Sequence, residues 1–387
     1  MADEKELIEQ YFHRGYENKI IVDLLRCQHG IQIRLSTLKR RLQDYGLNRR
    51  GLNIDENRLR QLIQSETSGP GQLRGYRAVW HSLRLCHNIH VPRKDVARIL
   101  QELDPEGTLQ RRSRRLQRRR YISFGPNFCW HADGYDKLKP YGFPIHGAID
   151  GYRRKILWLE LSRSNNKPEV PAKFFLECVR EHSGCPMLLR TDCGTENGIM
   201  AAIQAYFRQH GNDEFAGSNS HKYGTSPSNQ RIEAWWSYYR RGRSSWWIDF
   251  FKEMAATEVL DIASEFHLEC LWFCFASLLQ NDLDKVNNHW NTHRIRRSKI
   301  GTVPGVPDIS FFLPQRSGAV ECKVAVTNEQ TAAMENHAQI QVIDDEMNIF
   351  QEYFHYVMDN EALPYSSDHV EARDLFEYLI AVGDPLQ

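Results

Sequence analysis

NFCWHADGYDKLKPYGFPIHGAIDGYRRKILWLELS, residues Asn127 to Ser162, holds three short apolar runs parted by turn residues. Each run has strand length, and Gly, Pro and Asp punctuate the gaps. NFCWHADG reads as strand one, FPIHGAID as strand two and KILWLELS as strand three. Asp150-Gly151 supplies hairpin turn chemistry between the last two. Downstream the pattern alternates. EVPAKFFLECVREHSG is an amphipathic helix stopped at Gly184, PMLLRTD is strand four, and GIMAAIQAYFRQHG is a helix. SPSNQRIEAWWSYYRRG is another helix, capped by Asn229 or Ser228, and helices continue through HLECLWFCFASLLQ and DLDKVNNHWNTHRI. Short apolar runs alternating with helices predict an α/β domain.

Three carboxylates occupy matched places in it. Asp133 lies within strand one, Asp192 ends strand four in LLRTDCGTENG, and Glu233 lies on the helix after an irregular stretch. Carboxylates in or ending apolar strands are costly to bury unless paired or bound to metal. Converging carboxylates repel one another, and Mg²⁺ or Mn²⁺ removes that penalty. Two such ions can activate a water or a 3′-hydroxyl and stabilise the leaving oxygen of a phosphodiester. Asp150 reads as turn chemistry, Asp136 as a rim residue and Glu196 as a helix cap near Asn197. Gly194 lets the backbone turn sharply after Asp192. Trp235, Trp236, Trp246 and Trp247 read as core or interface.

The net charge of +1 hides an asymmetry. Val320 to Gln387 carries 14 acidic and 2 basic residues, a net of −12, which leaves +13 on the rest. A basic body points to a polyanionic partner. RRSRRLQRRR, Arg111 to Arg120, is the densest run, with Arg111, Arg112, Arg114, Arg115, Arg118, Arg119 and Arg120. It reads as a solvated linker, a nuclear-import signal or a nucleic-acid contact. Lys137 and Arg231 are further phosphate-contact candidates, with Lys139, Arg240, Arg241 and Arg243 beside them. No window has the length of a membrane span. The charged start lacks an apolar signal core, so secretion is not expected and a nuclear location is. Nine scattered cysteines fit reduced thiols. His267, Cys270 and Cys274 share a helical face but read as core rather than as a zinc site.

Residues 1–52 read as three short helices, the third opened by Ser36 as N-cap and crowded at its start by Lys39, Arg40 and Arg41. A second helical unit spans 53–106. Both suit helix-turn-helix geometry, in which the last helix enters the major groove; a small protein-binding bundle gives the same pattern. The arginine-rich linker, 107–122, the α/β domain, 123–315, and an acidic helical region, 316–387, follow.

PNFCWHADGYDKL, HGAIDGYRRKILWLEL, LRTDCGTENG and SPSNQRIEAWW together resemble the four blocks of the retroviral-type integrase catalytic core, a DDE transposase domain. The resemblance is nearest to integrase-core-domain proteins of animal genomes derived from transposable elements. VNNHWNTHRIRRSKIGTVPGVPDISFF resembles the segment closing such cores, through Asn291, His293 and Arg294. GQLRGYRAVWHSLRLCHNIHVPRKDVARIL resembles the helix-turn-helix preceding many of them. The resemblance implies an RNase H-like, mixed five-stranded sheet with flanking helices. It implies Asp133, Asp192 and Glu233 as catalytic, metal-binding triad, with two Mg²⁺ or Mn²⁺ ions, DNA as partner and a homo-oligomer. The zinc module of retroviral enzymes is missing. A DNA-binding protein that has lost transposition, and a metal-dependent nuclease on the same fold, would share these residues.

Overall fold

The computed structural model describes residues 3–48, 54–68, 71, 74–105, 123–224, 229–296, 304–338 and 348–383. The arginine-rich run 111–120 lies outside them. Packing divides the chain into two units, Met1–Ile122 with Asn288–Val320, and Ser123–Asn287 with Glu321–Gln387.

In the first unit, α1 (Glu4–His13), α2 (Asn18–His29) and α3 (Leu35–Asp44) bury Ile8, Phe12, Ile21, Leu25 and Leu38 together, closed by Leu313. Gly30 ends α2 in the left-handed conformation, φ 67°, as its position suggests. Ser36 does not cap α3. Arg34 precedes the helix and Leu35 is already helical, so the Ser36 hydroxyl falls within the first turn. A second trio, α4 (Glu56–Glu66), α5 (Tyr76–His87) and α6 (Arg93–Leu103), surrounds Leu59, Ile63, Val79, Leu83, Val96 and Ile99.

In the second unit, β1 (Cys129–Tyr135), β2 (Ile145–Asp150) and β3 (Ile156–Leu161) form an antiparallel meander. Every residue of β2 is buried, which is why it reads as one apolar run. After α7 (Glu169–His182) and the short β4 (Gly184–Cys185), β5 (Leu188–Thr191) lies parallel to β1. Then α8 (Gly198–Phe207) leads to β6 (His221–Tyr223), parallel to β5. The order β3-β2-β1-β5-β6 is the mixed five-stranded sheet with flanking helices that was expected. The fifth strand comes from a stretch that read as irregular.

Gly184 is not the stop of α7. Ser183 takes the left-handed position, φ 49°. Gly184 is needed for close approach instead: a β-carbon there would lie 2.7 Å from the Val324 carbonyl oxygen of β7 (Val324–Ala325), its antiparallel partner.

Three helices follow β6: α9 (Gln230–Tyr239), α10 (Ser245–Ala256) and α11 (Glu265–Thr292). A π-helical turn, Arg240–Ser244, joins the first two. The acidic end is helical over α12 (Asn328–His337), α13 (Ile349–Asn360) and α14 (His369–Gly383). From Glu321 onward it packs into the second unit. Phe354, Phe376 and Leu379 are fully buried, and the Phe354 ring lies 5.4 Å from that of Phe266. Charge had masked an apolar stripe. The segment 288–320 belongs instead with the amino-terminal helices, where Tyr16 donates to Asp308 at 3.2 Å.

Candidate active site

The register of β1 on β5 brings the first two carboxylates side by side. Cys129 pairs with Leu188 and His131 with Arg190, an offset of 59 residues. Continued two residues past its last pair, the same offset falls on Asp133 of β1 and on Asp192, the residue just after β5. Side chains two apart share a face of a strand. Asp133 and Asp192 therefore emerge on one face at the carboxyl end of β5.

Glu233 is brought to the same edge by α9. Asn229, Glu233 and Trp236 follow the i, i+4, i+7 spacing of a single helix face. Two of the three are tied to β1. The Asn229 amide donates to the Ala132 carbonyl at 2.9 Å, and its Oδ1 lies 2.7 Å from His131 Nδ1. Because the Asn229 amide nitrogen is the donor to Ala132, its oxygen accepts, and His131 carries its proton on Nδ1. Trp236 Nε1 donates to Asp133 Oδ2 at 3.0 Å. The face that carries Glu233 is thus held against β1 above and below it. Asn229 does stand at the start of α9, but its side chain makes no cap bond. Strand β1 claims it instead. Ser228 lies outside the described residues.

The electrostatics agree with this placement. Burial, then the negative charges of Glu233 and Asp192, push Asp133 up to about 8, although the Trp236 N–H and the Gly134 N–H both favour its ionised form. Among the described residues, however, no three His, Cys, Asp or Glu side chains are close enough to form a ready metal centre. The backbone brings the three acids to one edge without drawing the carboxylates into a shared coordination sphere. Three uncompensated carboxylates suit a hard divalent cation by their donor chemistry.

Asp192 is held where its strand ends. Gly194 N–H and Asn197 Nδ2 donate to Asp192 Oδ1 at 3.3 and 2.8 Å. Asn197 Nδ2 also reaches Glu196 Oε1 at 2.9 Å. Glu196 is therefore no helix cap. Burial raises its carboxyl above the ordinary range, and the negative charges of Asp192 and Asp136 add to this. Gly194 has an ordinary extended backbone, φ −71°, so no sharp turn depends on it. The Glu196 carboxylate occupies the space a β-carbon would take there. Asp136 is an exposed rim residue, 2.6 Å from Asn165 Nδ2 and 3.7 Å from Lys139 Nζ. Asp150 is buried at the hairpin, where the backbone N–H groups of Asn127, Tyr152 and Arg153 donate to it at 2.8, 2.9 and 2.9 Å.

The basic candidates divide. Lys137, Arg240 and Arg241 are exposed, as are Lys39 and Arg40 on α3. Arg41 is turned onto Glu4, so its charge is taken within the first helical trio. Arg243 pairs with Asp282 at 2.9 Å. Arg231 is half-buried, and its charge adds to the burial that lowers His131 to about 3. Arg111, Arg112, Arg114, Arg115, Arg118, Arg119 and Arg120 lie outside the described residues. Cys270 and Cys274 are buried, and His267 Nδ1 accepts from Asp261 N–H at 3.1 Å, in keeping with a core role.

His131, Asn229 and Trp236 escaped the sequence reading as site residues. The available signals were a histidine inside an apolar strand and an Asn just before a helix. If Asn229 is a latch, Asn229→Leu leaves His131 Nδ1–H and the Ala132 carbonyl short of a partner in the core. Each such group costs about 1–3 kcal/mol. Urea unfolding is expected to show a loss of about 2 kcal/mol or more; unchanged stability would contradict the latch.

Residues 121–305 match a family model described as an integrase core domain. No curated protein matches the chain. Among the described residues no helix is long and apolar enough to cross a membrane.

Proposed function

We propose that this integrase core domain, of the polynucleotidyl transferase class, cleaves and joins DNA phosphodiesters with two divalent ions, Mg²⁺ or Mn²⁺. The observation that carries the reading is the nearness of the three acids: the charges of Glu233 and Asp192 both act on the buried Asp133 of β1, beside which β5 runs parallel and ends just before Asp192. Asp133, Asp192 and Glu233 would hold the ions. When bound, these supply an activated water or 3′-hydroxyl and stabilise the leaving oxygen.

The remaining work falls to the chain. The sheet gives Asp133 and Asp192 a rigid base, and Asn197 holds Asp192 Oδ1. Asn229 fixes the start of α9, so Glu233 approaches from a fixed side. The exposed Lys137, Arg240 and Arg241 are available to phosphates. In the first unit Lys39 and Arg40 are exposed on α3, which supports a helix-turn-helix role for the first trio. Nuclear location and homo-oligomerisation belong to the same reading.

The alternative is a DNA-binding protein that keeps the fold without catalysis, which would share the same sheet and the same three carboxylates. The full chain, incubated with labelled duplex DNA and Mg²⁺ or Mn²⁺, separates the two. Joined strands support the proposal. Binding without cleavage supports the second reading, and cleavage without joining marks a nuclease.

A further inference from the structure

Trp236 is 5% exposed, yet its one polar atom is aimed at Asp133. The indole is boxed in. It lies over Gly147 of β2, the residue that pairs with Asp133 across β1 and β2. A β-carbon at Gly147 would come within 3.0 Å of the ring's Cη2 and 3.3 Å of its Cζ2. The Tyr135 ring, two residues along β1 from Asp133, is 5.0 Å away, and the Trp235 ring is also 5.0 Å away. Glycine at 147 therefore lets a large planar donor reach across the sheet, and neighbouring rings hold its direction.

We infer that Trp236 is a positioning residue, which fixes Asp133 Oδ2 so that this carboxylate meets a divalent cation in one orientation. The inference rests on Asp133 as a metal ligand. The donor's chemistry suits the task. An arginine or lysine at the same place would pair with the carboxylate and cancel the charge that attracts the ion. A serine hydroxyl would rotate. An indole N–H is neutral and directional, and its ring packing fixes the donor in place. It orients the carboxylate and leaves its charge. Groups that hydrogen-bond to metal ligands are typically worth about 10–100-fold in metal affinity.

The test is a titration of the full chain with Mn²⁺, in which paramagnetic resonance measures the free ion. Wild type, Trp236→Phe and Asp133→Asn are compared. Trp236→Phe keeps an aromatic ring over Gly147 and loses the N–H. It is expected to weaken Mn²⁺ binding by about 10–100-fold. DNA binding without metal should be unchanged. Joining at saturating Mn²⁺ should recover toward the wild-type rate, so that the loss falls on the metal concentration required. A variant with β-(3-benzothienyl)alanine at position 236 has nearly the indole's shape without its N–H, and serves if Trp236→Phe does not fold. It should show the same weakening. If both variants bind Mn²⁺ like wild type while Asp133→Asn does not, Trp236 only packs and the inference is overturned. If Asp133→Asn also binds like wild type, the metal reading of Asp133 fails first.

Discussion

Asp192→Asn is expected to abolish strand joining and leave DNA binding largely intact. The substitution is nearly isosteric. The Asn carbonyl can still accept from Asn197 Nδ2 and Gly194 N–H, which hold Asp192 Oδ1 at 2.8 and 3.3 Å, so the strand end keeps its shape. What is lost is the negative charge beside Asp133. A catalytic metal supplies several kcal/mol of transition-state stabilisation. With each 1.36 kcal/mol worth tenfold, the joining rate should fall by about 10³-fold or more. Single-turnover joining on labelled DNA measures the loss, and a mobility shift without metal measures binding. Undiminished joining by the variant would sink the catalytic assignment.

Asp133→Asn should make the protein more stable in metal-free buffer at alkaline pH. Burial and the charges of Glu233 and Asp192 raise Asp133 from 3.8 in the unfolded chain to about 8 in the fold. A raised carboxyl contributes stability that is complete below pH 3.8 and is lost as the pH climbs through about 8. Above that, the fold carries an ionised, repelled carboxylate; Asn removes it and can still accept the Trp236 N–H. One pKa unit corresponds to 1.36 kcal/mol. Allowing for solvent screening at the sheet edge, the variant should gain ~3 kcal/mol at pH 8.5 and nothing near pH 4. Gain of stability on loss of a site residue is the usual mark of a strained functional centre. Urea unfolding with EDTA at the two pH values checks it; a variant no more stable than wild type at pH 8.5 would refute the crowding of charge at Asp133.

The meander β1–β3 was legible because each strand is an apolar run closed by Gly, Pro or Asp. β6 was not: of its three residues only His221 is buried, too little to mark a strand. Asp133, Asp192 and Glu233 could be named from their positions. Their juxtaposition depends on strand register and helix face, which no local pattern encodes. The same holds for Asn229 and Trp236, whose partners on β1 lie 97 or 98 and 103 residues away. In the acidic end, a net charge of −12 drew attention from Phe354 and Phe376, which tie it to the second unit.

The most direct test of the metal-dependent reading is a count of Mn²⁺ ions bound by the full chain, made beside Asp133→Asn, Asp192→Asn and Glu233→Gln. Two saturable ions in wild type, with binding weakened in each variant, is the expected result. A folded wild type that binds no Mn²⁺ at millimolar concentration, with or without DNA, would contradict it.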